Sequence, residues 1–120
     1  MNIRLQEIEF GAVDVEKTKK FYETILGFKT AVDQENLTVF PLEAQRIDYN
    51  ISTHLPAQKN CISFLTDNLD EVIQKLTENA VSFEGPSPSH LGMVSIALND
   101  PNGNRIKINQ ATESSPTWLK

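Results

Sequence analysis

The sequence predicts an α+β domain made of two copies of a strand–helix–three-strand module. Two observations carry that prediction. Glu7–Lys17 (EIEFGAVDVEK) and Cys61–Glu71 (CISFLTDNLDE) align without a gap, which sets Ile8 on Ile62, Phe10 on Phe64, Asp14 on Asn68 and Val15 on Leu69. In both copies an alternating segment runs into a polar capping residue and then into apolar positions at helical spacing, and an internal repeat constrains a fold more strongly than any single element.

The first strand alternates, with Ile8, Phe10 and Ala12 on one face and Glu7, Glu9 and Gly11 on the other. Asp14 is suited to cap the first helix, since its carboxylate accepts an amide hydrogen left unpaired in the first turn. Val15, Thr18, Phe21, Tyr22, Ile25 and Leu26 form its expected buried face, and Gly27 supplies a left-handed stop. Strands are expected at Phe28–Asp33, Leu37–Leu42 and Arg46–Ser52. In the second module Asn68 caps a helix with Glu71 three residues on, and Leu69, Val72, Ile73, Leu76 and Ala80 give its apolar face. Strands then follow at Val81–Glu84, Met93–Leu98 and Arg105–Asn109. Pro41, Pro56, the GPSPS run at Gly85–Ser89 and the NDPNGN turn at Asn99–Asn104 act as breakers.

The bulk properties suit one globular domain of 120 residues with 39% hydrophobic and 22% charged residues. Module one is placed at about residues 3–53, module two at 60–110 and a polar tail at 111–120. A net charge of −5 disfavours nucleic-acid partners. The cluster Lys17, Lys19 and Lys20 shares its helix with Glu16 and Glu23 and is expected to be a solvated face. The N-terminus alternates rather than running apolar, so neither a signal peptide nor a membrane span is expected. The single cysteine, Cys61, excludes an internal disulfide and fits a cytoplasmic location.

Alternation also predicts that Glu7, Glu9, Asp48, Arg105 and Lys107 project from the sheet face without helices. That face is either simply wet, as antiparallel sheets often are, or the lining of a cleft.

The segments Ile8–Phe28 (IEFGAVDVEKTKKFYETILGF), Ile62–Val81 and DPNGNRIKI at Asp100–Ile108 resemble the vicinal-oxygen-chelate superfamily of glyoxalase, bleomycin-resistance and dioxygenase-type domains. The resemblance implies two βαβββ modules whose mixed sheets curl around a cleft. It also implies homodimers, domain-swapped or not, with sites at or near the interface.

It further implies metal-ligand positions, and here they are altered. The first-strand position, usually His and seven residues before the capping Asp, is Glu7. The fourth-strand position aligns with Asp48. The position opening the fifth strand, usually His, is Cys61. The last, usually Glu and seven residues past the Asp of the turn, is Lys107. A lysine ammonium has no lone pair to give a metal. No resident cofactor is therefore expected, with a divalent ion as the alternative.

The ligand-binding candidates are Glu7, Asp48, Cys61, His90, Arg105 and Lys107. Lys107 would meet an anion, or pair with Glu7 or Asp48. Glu7 would serve as a general base if burial raised its pKa. Glu9 is assigned to a wet rim, Cys61 to packing, His54 to a linker, and His90 to the loop SHLGM. Arg105 would clamp an anion or simply face solvent. Trp118 would dock on a partner chain, lid a pocket or lie in a disordered tail. The leading expectation is a metal-independent small-molecule binder of the bleomycin-resistance type, acting as a homodimer. The alternative is a glyoxalase-like lyase, isomerase or dioxygenase, with a rearranged metal site or with Glu7 as base and Lys107 as electrophile.

Overall fold

A computed structural model describes residues 2–99, 101 and 104–120. Asp100 and Gly103 of the DPNGN turn, with Asn102, lie outside the described residues. Among the described residues the element order is β1 (Ile3–Gly11), α1 (Val15–Ile25), β2 (Val32–Gln34), β3 (Leu37–Leu42), β4 (Ile47–Ser52), β5 (Asn60–Thr66), α2 (Leu69–Glu78), β6 (Glu84–Pro88), β7 (Val94–Asn99) and β8 (Arg105–Gln110). This is the α+β pattern of two βαβββ modules. None of these helices is long and apolar enough to cross a membrane.

The chain forms two compact units, one of residues 6–62 and one of residues 1–5 with 63–120. In the first unit the strand order is β2-β3-β4-β1. β1 runs parallel to β4 with Glu7 opposite Asp48, Glu9 opposite Asn50 and Gly11 opposite Ser52. β3 is antiparallel to β4 and to β2. Asp14 caps α1 by accepting the Lys17 backbone N–H at 3.0 Å, and Gly27 takes the expected left-handed conformation, φ +71°.

The face α1 buries differs from the expected one. Val15 is buried and Tyr22 half-buried, but Phe21, Ile25 and Leu26 are more than half exposed. An 11-residue helix presents only a narrow stripe to the sheet, and the apolar positions spread over more of the circumference than that stripe covers. Lys19 leaves the expected solvated face as well, since its ammonium bonds Asp33 at 2.7 Å with the side chain 14% exposed.

Under α1, Phe40 and Ile51 are fully buried and the rings of Phe10, Tyr22, Phe28 and Tyr49 pack around them, with Tyr22 and Tyr49 centroids 5.0 Å apart. The Tyr22 and Tyr49 hydroxyls share a 2.8 Å hydrogen bond. Burial, and then that bond, raises the Tyr49 pKa well above the ordinary tyrosine value of 10.0. The native state thus keeps a proton that the unfolded chain loses above about pH 10. Stability present below that pH falls as it rises further, because the native state then binds more protons than the unfolded one. Denaturation midpoints followed through about pH 9 to 11 should drop, and Tyr49→Phe should flatten the drop. An equal slope in the variant would exclude Tyr49 as its source.

In the second unit the order is β5-β8-β7-β6. Asn68 caps α2 by accepting the Glu71 N–H at 3.1 Å, and Leu69 and Val72 pack against Ile96, with Ile73, Leu76, Leu98 and Ile108 around them. Ala80 stands past the helix end, exposed and with φ +55°, rather than on the apolar face. Two strands depart from expectation. β2 keeps only Val32 and Asp33 of the expected Phe28–Asp33 stretch and adds Gln34. β6 is shifted onto the GPSPS run, which is a strand and not a breaker, and Pro41 likewise lies inside β3, opposite Asp48, rather than breaking it. Proline has no N–H to donate, which a strand with one unpaired side tolerates. The β6–β7 register slips between Glu84 and Ser87.

Residues 111–120 are folded. The Thr112 hydroxyl donates to the Gly92 carbonyl at 2.6 Å, Arg4 donates to the Leu119 carbonyl at 2.7 Å, and the Leu119 side chain is 1% exposed. Trp118 stays 43% exposed.

Candidate functional site

In the first unit the face opposite α1 carries Glu7 and Glu9 from β1 and Asp48, Asn50 and Ser52 from β4, since register partners share a face. The reading of this face as wet is overturned here. Glu7, Asn50 and Ser52 are 0% exposed, Asp48 6% and Glu9 7%. The apolar neighbours in β1 are the less buried ones: Ile8 and Phe10 are only half-buried. β5 repeats the inversion, with Cys61 and Ser63 buried and Ile62 40% exposed. Burying ionisable side chains is unfavourable unless they are hydrogen-bonded, so this face is built rather than merely covered.

Each glutamate has a dedicated donor. The Asn50 amide donates to Glu7 Oε2 at 2.7 Å. The Asn50 NH2 therefore faces Glu7 and its carbonyl oxygen Oδ1 faces away. That oxygen is buried and has no hydrogen-bond partner among the described residues, a situation that costs about 1–3 kcal/mol when nothing fills it.

The Ser52 hydroxyl accepts the His54 backbone N–H at 3.2 Å and donates to Glu9 Oε2. His54 Nδ1 lies 3.7 Å from the same oxygen, and its side chain is 58% exposed. His54 thus belongs beside Glu9 rather than to a bare linker, and Glu9 is no rim residue. Cys61 is buried.

In the second unit Lys107 sits opposite Ala97 and is half-buried. Its ammonium donates to Ser89 Oγ at 3.2 Å, and the same hydroxyl lies 3.2 Å from His90 Nδ1. His90 opens a 3-10 turn over His90–Gly92, half-buried. A cation, a hydroxyl and an imidazole therefore form a short chain that can hold an anion or pass a proton. Arg105 is exposed and ion-paired with Glu84, so its strand position faces solvent. Its guanidinium is engaged at the surface.

Sequence reasoning did not single out Asn50, Ser52 or Ser89. The alternation of Ile47–Ser52 held the signal for the first two, since it sets Asp48, Asn50 and Ser52 on one face. Ser89 gave no signal, lying at the end of a run read as a breaker. Among the described residues no three His, Cys, Asp or Glu side chains come together as a metal-binding group.

Comparison with known proteins agrees with this architecture. The family model of the Glyoxalase/Bleomycin resistance protein/Dioxygenase superfamily matches residues 4–108. A virulence protein of Salmonella typhimurium is 24% identical, over 89% of this chain and 83% of that protein. Among solved structures, a glyoxalase/bleomycin resistance protein/dioxygenase superfamily member from Vibrio splendidus superposes with a TM-score of 0.67 at 16% identity, covering 91% of this chain and 98% of that one. Methylmalonyl-CoA epimerase of Streptomyces coelicolor, in complex with 2-nitronate-propionyl-CoA, superposes with a TM-score of 0.71 at 15% identity, covering 94% and 97%. At such identities the structural likeness speaks for the fold alone.

Proposed function

We propose, from the premise that this chain belongs to the Glyoxalase/Bleomycin resistance protein/Dioxygenase superfamily, that it binds a small organic molecule without a resident metal, in the manner of a bleomycin-resistance protein. The observation that carries the reading is Lys107. At the position where the resemblance sets the last metal ligand stands an ammonium that donates to Ser89. A divalent ion there would face a cation rather than a carboxylate. Cys61 replaces a usual imidazole, and the Glu7 carboxylate is already engaged by Asn50. These donors suit hydrogen bonding to an organic ligand better than they suit a divalent ion.

Within the first unit the candidate binding groups are Glu7 and Asp48, and within the second they are Lys107 and His90, with a homodimer as the working assembly. The buried carboxylates of the one offer a ligand fixed acceptors and the ammonium of the other offers a fixed donor, and polar groups of this kind orient small molecules.

Native mass spectrometry with elemental analysis tests the reading. The expected particle contains two chains, carries no divalent metal in proportion to chains after incubation with nickel, cobalt, manganese or zinc, and retains a small-molecule adduct. One metal per chain, with turnover only in its presence, would overturn it in favour of a lyase, isomerase or dioxygenase.

A further inference from the structure

The first unit carries a second polar group beside the metal positions of the family. Glu9 and Asn50 are register partners on the buried face. The Asn50 amide hydrogens are turned toward Glu7, which leaves Oδ1 as a fully buried acceptor with no partner among the described residues. The register partner of Asn50 on the same face is Glu9, 7% exposed. The Ser52 hydroxyl has its proton directed onto it by the His54 backbone N–H that the same oxygen accepts. The group is therefore rich in acceptors, and an acceptor-only pair of this kind recognises a donor-rich cation. Its solvent side is the His54 imidazole, 58% exposed and 3.7 Å from Glu9.

We infer that Glu9 and Asn50 form a subsite for the ammonium or amidinium end of a small molecule, with Ser52 orienting the carboxylate and His54 covering it. One N–H of the guest donates to Glu9 and another to Asn50 Oδ1, after His54 rotates aside. The inference rests on the small-molecule reading above and names the ligand class: a cationic organic molecule rather than a free carboxylate.

The test is titration of the 15N-labelled full chain, followed by NMR, with butylguanidinium and butylammonium as probes and butyrate and butanol as controls. Both cations should shift the Ser52 and His54 backbone amides and the Asn50 side-chain amide saturably, and the controls should not. The tighter of the two cations assigns the guest as amidinium-like or ammonium-like. Glu9→Gln should weaken binding about tenfold, the worth of one charge-assisted bond. If that variant does not fold, His54→Ala decides instead: removal of the exposed cover should tighten the cations while leaving the controls inert. Several results would overturn the proposal: no saturable shift, equal response to butyrate, unchanged affinity in Glu9→Gln, unchanged or weaker affinity in His54→Ala, or a long-lived water at Asn50 that no probe displaces. Absence of cation binding beside a metal-free, ligand-bearing particle in mass spectrometry would sink this subsite and leave the broader reading standing. A metal found in proportion to chains would sink the broader reading whatever the probes do.

Discussion

Gly11→Ala is expected to destabilise the chain by about 3 kcal/mol, the upper end of the usual penalty for forcing atoms into a packed site. A Cβ built on Gly11 would lie 1.9 Å from the Pro56 carbonyl oxygen, 2.5 Å from its carbon and 2.6 Å from the Leu55 oxygen. All three are backbone atoms, so no side chain can swing away to relieve the contact. The Gly11 N–H also donates to the Lys59 carbonyl at 3.0 Å, which ties the same loop to β1. The loop must lift off, and it carries His54. Urea denaturation should show the loss as a lower midpoint at unchanged slope, with a melting temperature down by about 10 °C. The butylguanidinium response should change with it, because Glu9 loses its neighbour. A variant as stable as the parent would mean that the loop does not cross Gly11 this closely.

Leu119→Ala is expected to remove about 3 kcal/mol, within the usual range for truncating a buried leucine. Leu119 is 1% exposed near the end of the chain, and the Arg4 guanidinium holds its carbonyl at 2.7 Å. A frayed tail would make neither contact. Trp118, 43% exposed beside it, serves as the control, and Trp118→Ala should change stability by much less. Thermal unfolding of the two variants separates a docked tail from a loose one. Equal small effects would show that residues 116–120 contribute nothing to the fold.

These expectations rest on features of unequal visibility in the sequence. Asp14 and Asn68 as caps, Gly27 as a left-handed stop and β3 at Leu37–Leu42 were all legible, and each appears as read. Caps and turns are decided by atoms within a few residues of one another, and alternation is a property of the strand itself. The same alternation set Glu7, Glu9, Asp48 and Asn50 on one face, as the β1–β4 register has them.

The sequence by itself determined the order of the elements, their capping and the residues that share each face, because those follow from local backbone chemistry. Only the tertiary structure decided which faces were covered. It buried Glu9 and Asn50 while leaving Phe21 and Ile25 in water, made a strand of a proline-rich run and folded the tail through Leu119. The physical reason is that burial depends on what packs against a face, and a strand's own residues carry no record of that.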